Sequence, residues 1–342
     1  MNVDVFDFFS GCGGTSCGFR DIGLNIKMAI DIDYDAIQTF KQNFPDANTI
    51  QKDIREVKTD DISHIVGKRE NPLLFCGCAP CQPFSKQNRQ RTSSDTRSTL
   101  LDEFGRFVEA WLPEYVFVEN VPGIQRRAAN SKTFKNFLGL LDRLGYNHDS
   151  KVVEAQWFGV PQRRARLVLI ASKKNKVSIP APSHGASKIP YSTLRDWIFE
   201  LPPLLNGQVN ERDPDHFALK LSDLNLQRIQ NTPEGGGREH WPEELILECH
   251  KGYKGHSDVY GRLSWDKPAV GLTTRCISYS NGRFGHPVQD RALSLREAAR
   301  LQTFPRSFTF FGSKNSKARQ VGNAVPPLMA AAISVGLFSP NE

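Results

Sequence analysis

The stretch Val3–Ile22 constrains the fold more than any other. Val3–Phe9 is a hydrophobic run, Ser10-Gly11-Cys12-Gly13-Gly14 is a tight glycine-rich turn, and Thr15–Ile22 has helical texture. Strand, turn and helix in that order open a nucleotide-binding α/β fold, because glycine lets the backbone approach a ligand that a Cβ would exclude. The turn is not G-x-G-x-x-G and no Gly-Lys-Ser/Thr follows it, so neither a dinucleotide nor a triphosphate is specified. A second apolar run, Ile26–Ile30, ends on Asp31. An acid there suits ribose hydroxyls, and it equally suits a cap for a helix over Tyr34–Phe44. A short strand near Asn48–Ile50 is followed by Asp53. A glycine turn, Asp31 and Asp53 at three strand ends describe one adenosine-sized pocket.

The fourth apolar run, in Leu73–Ser85, closes at Gly77 and enters a Pro80-Cys81-Gln82 loop. Pro80 fixes its own φ and pushes Ala79 towards an extended conformation. Cys81 is thereby held on a stiff loop at the carboxyl end of a strand, where open α/β sheets place their chemistry. A thiol there is a candidate nucleophile if its surroundings favour the thiolate. Cys76, inside the apolar run, reads as a small buried hydrophobe. Cys76, Cys78 and Cys81 lack a second cysteine pair at structural-zinc spacing, so no metal site is expected.

Lys86–Ser98 is polar and basic without apolar periodicity, a loop suited to a phosphate backbone as well as to solvent. Thr99–Trp111 has helical spacing, and Tyr115–Val118 is a fifth strand ending in Glu119-Asn120-Val121. Beside Cys81 on a parallel sheet, Glu119 becomes a candidate acid that keeps its proton through partial desolvation. Lys132–Leu144 reads as helix and Lys151–Gln156 as strand; Gln162–Arg166 then leads into the strand Leu167–Ala171. Alternation sends Arg164 and Arg166 to one face and Arg163 to the other.

From Lys173 to about Gly285 the chain is rich in Pro, Gly, Ser and charge, and reads as a separate loop-rich lobe. Order returns at Leu293–Glu297, where Ser294 and Glu297 predict a capping box for a helix over Leu295–Gln302. Gln320–Pro327 leads into an apolar helix ending near Phe338, which must pack back on the first domain. The lobe is therefore expected to be an insertion. A net charge of +7 favours an anionic partner, and seven unevenly spaced cysteines favour a reducing cytosol over a disulfide framework. No window is expected to span a membrane.

Asp7–Gly14, Pro80-Cys81-Gln82, Glu119-Asn120-Val121, Gln162–Arg166, Arg296–Pro305 and Gln320–Pro327 resemble, in order, the motif series of the cytosine-5 DNA methyltransferases. The likeness runs from Val3 to about Phe338 and is loosest in the middle lobe. It implies a doubly wound, mostly parallel α/β sheet with an inserted target-recognition domain. The expected division is residues 1–175 catalytic, 176–288 target recognition, and 289–342 hinge and return. It implies S-adenosyl-L-methionine as methyl donor, held by Phe9, Ser10, Gly11, Gly13, Gly14, Asp31, Ile32, Asp53, Ile54, Pro80, Leu100, Asn323 and Ala324. Such enzymes often carry Glu at the ribose position and a larger side chain after it, where this chain has Asp31 and Ile32. Cys81 would be the nucleophile and Glu119 its partner, with Arg164 and Arg166 clamping the flipped nucleotide.

Ser85, Lys86, Gln87, Arg97, Arg238, Arg275 and Arg283 are the expected contacts to double-stranded DNA. The chemistry agrees with the likeness. Carbon 5 of cytosine is a poor nucleophile until a thiolate adds to carbon 6 and a carboxyl group stabilises N3, and the base must leave the duplex for this. A tRNA cytosine methyltransferase shares these blocks but usually carries a Cys-Phe-Thr element in the middle lobe, which is absent here. The resemblance also implies a cytoplasmic, monomeric enzyme of bacterial or phage type, with a cognate restriction endonuclease as its genetic partner.

Overall fold

The computed structural model describes residues 2–79, 100–123, 128–251, 255 and 258–338. Pro80, Cys81, Ser85, Lys86, Gln87 and Arg97 lie outside the described residues. The chain forms two compact units: residues 1–158, 165–182 and 325–342 make the first, and 159–164 with 183–324 make the second.

The strands of the first unit are β1 (Asp4–Phe8), β2 (Asn25–Asp31), β3 (Asn48–Gln51), β4 (Leu73–Gly77), β5 (Tyr115–Asn120), β6 (Asn147–Glu154) and, after β7 (Gln162–Arg163) of the second unit, β8 (Ala165–Ser172). Among the described residues they form one seven-stranded sheet in the order β3-β2-β1-β4-β5-β8-β6. The first five are parallel, whereas β8 runs antiparallel to both β5 and β6. β4 and β5 are buried on both faces, which is why LLFCG and the YVFV that opens β5 are uninterruptedly apolar. The order reverses between β1 and β4, and that crevice is where doubly wound sheets bind ligands.

Helices α1 (Gly14–Asp21), α2 (Tyr34–Asn43), α3 (Ser63–Val66), α4 (Leu100–Trp111) and α5 (Ala128–Arg143) belong to this unit. Their packing centres on aromatics: Phe8 lies 5.1 Å from Phe75, 5.4 Å from Phe104 and 4.9 Å from Phe107. Gly77 ends β4 where a Cβ would strike the Phe104 ring at 2.7 Å, so the strand can sit this close to α4 only as glycine.

The second unit contains β7 paired in parallel with β9 (Ala269–Val270), and helices α6 (Leu194–Ile198), α7 (Asp223–Gln230), α8 (Leu295–Leu301) and α9 (Lys314–Asn323). The expected capping box is present: Ser294 Oγ accepts from Glu297 N at 3.0 Å and Glu297 Oε2 from Ser294 N at 2.7 Å. Segment 289–324, expected to rejoin the catalytic domain, packs within the second unit instead. Besides buried Leu293, Leu295, Leu301 and Phe304, it has polar ties: Arg296 donates to Asp213 at 2.6 Å and Lys317 to Asp215 at 2.6 Å, while Arg291 braces the segment internally on Glu297.

The chain rejoins the first unit at Val325, and α10 (Pro327–Phe338) packs on α1 and β8. Gly18 permits that crossing, because a Cβ there would meet Pro327 O at 2.2 Å. The run Lys314–Phe338 corrects one expectation, since by length and composition alone it could cross a membrane. It is nevertheless two helices separated at Ala324–Pro326, and 61% of its apolar window is covered by protein.

Two groups in the second unit set an acid limit on its stability. Burial lowers His286 to about 4 from its ordinary 6.5. Burial also pushes Glu297 up, but the Arg291 hydrogen bonds and charge outweigh it and bring that carboxyl down to about 2. Both folded-state values lie below the unfolded ones, so the unfolded chain binds more protons as pH falls. His286 withdraws stability between pH 6.5 and about 4, and Glu297 between 4.5 and about 2. In the first unit burial raises Asp7 to about 7, so Asp7 contributes the opposite slope between roughly 4 and 7. The informative readout is therefore a difference. Between about pH 7 and pH 5, His286→Gln should lose less thermal stability than wild type. Parallel pH profiles for the two proteins would contradict this.

Candidate active site

The parallel strands deliver their carboxyl ends to one edge of the first unit. β1 continues into Phe9 and the glycine turn, and both Phe9 (φ 60°) and Gly11 (φ 53°) are left-handed. Ser10 N donates to Ile30 O at 3.0 Å, which ties the turn to β2. Gly11 and Gly13 are glycine for different reasons. A Cβ on Gly11 would meet nothing within 4 Å, whereas on Gly13 (φ 94°) it would strike the Phe44 ring at 2.6 Å. Gly11 leaves open space beside the turn, and Gly13 lets α1 begin against α2.

Asp31 does not cap α2; Asp33 does, accepting from Ala36 N at 3.2 Å. The Asp31 carboxylate instead accepts Gly11 N at 2.7 Å and Asp33 N at 2.8 Å. Burial raises its pKa despite those two N–H donors, which keeps a costly polar group at the end of β2. Ile32 beside it is 64% exposed, an apolar side chain with an open face. Asp53 is used locally: it accepts from Arg55 N at 3.0 Å and from Arg55 Nε at 2.9 Å, and the Arg55 bond lowers its pKa. Ile54 and Leu100 are buried in the core of this unit. Asn323 and Ala324 belong to the second unit, at the end of α9.

Glu119 is the penultimate residue of β5 and is buried. Because β8 runs antiparallel, its first residues lie at this same edge, with Glu119 opposite Val168 and Asn120 opposite Leu167. Arg166 can therefore reach across, and its Nε lies 2.6 Å from Glu119 Oε1. Asn120 is a contributor that residue-type reasoning passed over. Its Nδ2 donates to Ala79 O at 3.2 Å, fixing the carbonyl that immediately precedes Pro80-Cys81. Its signal was a short amide directly after the strand-end acid. At the neighbouring strand end, Thr15 Oγ1 lies 3.7 Å from Cys78 Sγ, which links α1 to the end of β4.

The two arginines find their partners in different units. Arg164 lies between β7 and β8 in the second unit and donates Nη1 to Leu272 O at 2.7 Å and Nη2 to Gly322 O at 2.9 Å. The remaining expected DNA contacts also divide. Arg283 donates to Gly235 O at 2.8 Å and Gly236 O at 2.7 Å and pairs with Asp258, so it braces the glycine turn. Arg238 Nη2 donates to Gly255 O at 2.6 Å. Arg275 is exposed, on a segment whose Thr273 carbonyl touches Gly322 so closely that a Cβ there would lie 2.2 Å away.

A reversed strand order with a glycine turn, an acid at the end of β2 and an antiparallel strand near the sheet's end defines the class, an α/β methyltransferase fold. The model of the C-5 cytosine-specific DNA methylase family matches residues 3–338, and the chain belongs to that family. It is 42% identical to the Type II methylase M.HgiDII of Herpetosiphon aurantiacus, over 96% of this chain and 93% of that protein. It is 34% identical to the Type II methyltransferase M1.HphI of Haemophilus parahaemolyticus, over 100% of this chain and 88% of that one. The crystal structure of a DNA modification methyltransferase encoded within an Escherichia coli prophage superposes with a TM-score of 0.78. That pair is 26% identical, and the match covers 98% of each chain.

Proposed function

We propose that this chain is the modification methyltransferase of a restriction–modification system, acting on carbon 5 of one cytosine in a short sequence of duplex DNA. The observation that carries this reading is the sheet edge itself, where the open glycine turn, Asp31 and the Glu119–Arg166 pair stand on either side of the strand that leads to Cys81. The enzyme acts as a monomer in the cytoplasm, with a cognate endonuclease as its genetic partner.

The residues of this edge fit S-adenosyl-L-methionine. Gly11 leaves room for close backbone approach, the half-buried Asp31 carboxylate suits a ribose diol, and exposed Ile32 suits one face of a purine. When bound, the cofactor supplies an electrophilic methyl group. Cys81 adds as thiolate to carbon 6, which pushes electrons towards carbon 5. Glu119 hydrogen-bonds to N3 as electrons enter the ring, and Arg166 holds Glu119 in place. Loss of the carbon-5 proton lets the thiolate leave. Arg164 acts indirectly, by fixing the backbone of Leu272 and Gly322 within the second unit.

Base reading falls to the second unit, and Arg275 is the best-presented of the three arginines considered there. Arg275→Ala should relax preference at one base pair by roughly 1–3 kcal/mol if the contact is bidentate. Arg283→Ala should instead lower the stability of the unit. Methylation rates on a panel of single-base variants of the recognised site measure the first effect, and an unchanged preference profile counts against Arg275. Bisulfite sequencing of DNA from cells expressing the protein, with methyl transfer compared on duplex DNA and tRNA, tests the reading as a whole. Transfer confined to tRNA would overturn it.

A further inference from the structure

Beneath the glycine turn lies a cluster that the proposed methyl transfer does not use. Asp7 on β1 is 1% exposed, accepts the Ser16 hydroxyl at 2.6 Å, and stands opposite Cys76 of β4 in the sheet register. As a register partner on the neighbouring parallel strand, Cys76 projects to the same side of the sheet as Asp7. Cys76 Sγ lies 3.7 Å from Cys78 Sγ, because residues two apart along a strand project to the same side. Cys76 is fully buried, whereas Cys78 is half-buried. The other titratable groups facing Asp7 are Asp31 on β2 and Cys12 in the turn.

A buried cysteine alone is inert. Here a second sulfur lies beside it on the accessible side, and the Asp7 carboxyl group stands on the neighbouring strand at the paired position. Burial, opposed by the Ser16 hydrogen bond, raises Asp7 to about 7, so near neutral pH the group can both take up and return a proton.

We propose that Cys76 and Cys78 form a reversible redox pair, with Cys78 attacking a hydroperoxide, Cys76 resolving the product and Asp7 accepting the Cys76 proton. The Cys78 thiolate attacks the O–O bond and becomes a sulfenic acid, while the departing alkoxide takes a proton and leaves as an alcohol. Cys76 gives its proton to Asp7, and its sulfur displaces hydroxide from Cys78 to form the disulfide. The hydroxide then takes the proton from Asp7 and leaves as water. Two thiols are oxidised and one hydroperoxide is reduced to alcohol and water. The bond ties together two residues at the end of β4, directly ahead of Ala79, whose carbonyl Asn120 holds. If the methyl-transfer reading is right, oxidation should also suppress that reaction reversibly.

The test uses the full-length Cys81→Ser protein, so that its readout does not depend on the methyl-transfer reading. After hydrogen peroxide treatment and alkylation, the peptide containing Cys76 and Cys78 should weigh about two mass units less than its dithiol form, and dithiothreitol should restore it. Adding Cys78→Ala should abolish that change. Asp7→Asn should slow it on the order of tenfold at neutral pH. Should Asp7→Asn fail to fold, the pH dependence in the parent protein replaces it: the rate should rise through about 7, where Asp7 ionises. A rate flat across that range, or one unchanged by Asp7→Asn, removes Asp7 from the scheme. Over-oxidation of Cys78 with Cys76 still open to alkylation after unfolding, or a disulfide to Cys12 or Cys17, overturns the pair.

Discussion

Replacing Cys81 by serine is expected to reduce methyl transfer to background while leaving affinity for duplex DNA within a few fold. A serine hydroxyl is a far weaker nucleophile at neutral pH than a thiol with even a small thiolate fraction, so carbon 6 is not attacked. Grip on DNA depends mostly on phosphate contacts, which the substitution does not touch. The wild-type protein should form a covalent adduct on duplex DNA carrying 5-fluorocytosine at the target, because fluorine at carbon 5 cannot leave as a proton does. Peptide mapping should place the adduct on Cys81. Substantial turnover by the serine variant, or an adduct on Cys76 or Cys78, would sink the assignment. The distinction matters in a chain that carries three cysteines so close together.

Much of the edge on which this chemistry depends was legible as sequence. Strands β4 and β5 announce themselves because the central strands of a parallel sheet are buried on both faces, and β2, β4 and β5 each end on a residue too polar or too special to continue the run. Other features carry no such mark. An apolar run has no direction, so nothing in Ala165–Ser172 says that β8 inserts antiparallel between β5 and β6. Edge strand β6 begins at Asn147 rather than Lys151, because its exposed face admits polar residues that blur its start. Alternation along Gln162–Arg166 does not say where one strand ends and the next begins. The ladder breaks at Arg164, between the two-residue β7 and β8, and the side chains of Arg164 and Arg166 enter different units.

The boundary of the second unit was hidden for a related reason. Segment 289–324 is tied there by Arg296–Asp213 and Lys317–Asp215, and ion pairs between residues of ordinary type leave no pattern in sequence. Ion pairs also decide which arginines remain available for DNA. Arg283 is exposed in type but consumed in fact, and only its partners Asp258, Gly235 and Gly236 reveal it.

Glu119→Gln is expected to lower turnover by on the order of 10²–10⁴-fold, the range general acid–base groups contribute. The amide keeps the shape of the side chain but cannot share a proton with N3, so electron density pushed in by the thiolate has nowhere to settle. It also removes the charge facing Arg166, whose guanidinium lies 2.6 Å from the carboxylate in a site where both side chains are largely covered. Removing one partner of a covered pair costs stability as well as chemistry. The two effects separate by measurement. Thermal unfolding and S-adenosyl-L-methionine affinity report the loss of the pair, whereas single-turnover rates at saturating DNA and cofactor report the loss of proton sharing. Glu119→Asp supplies the contrast, since it restores the charge at a shorter reach and should recover more stability than rate. If cofactor affinity collapsed in Glu119→Gln while turnover at saturation stayed normal, the residue would belong to the cofactor site, and the cytosine edge would need another acid.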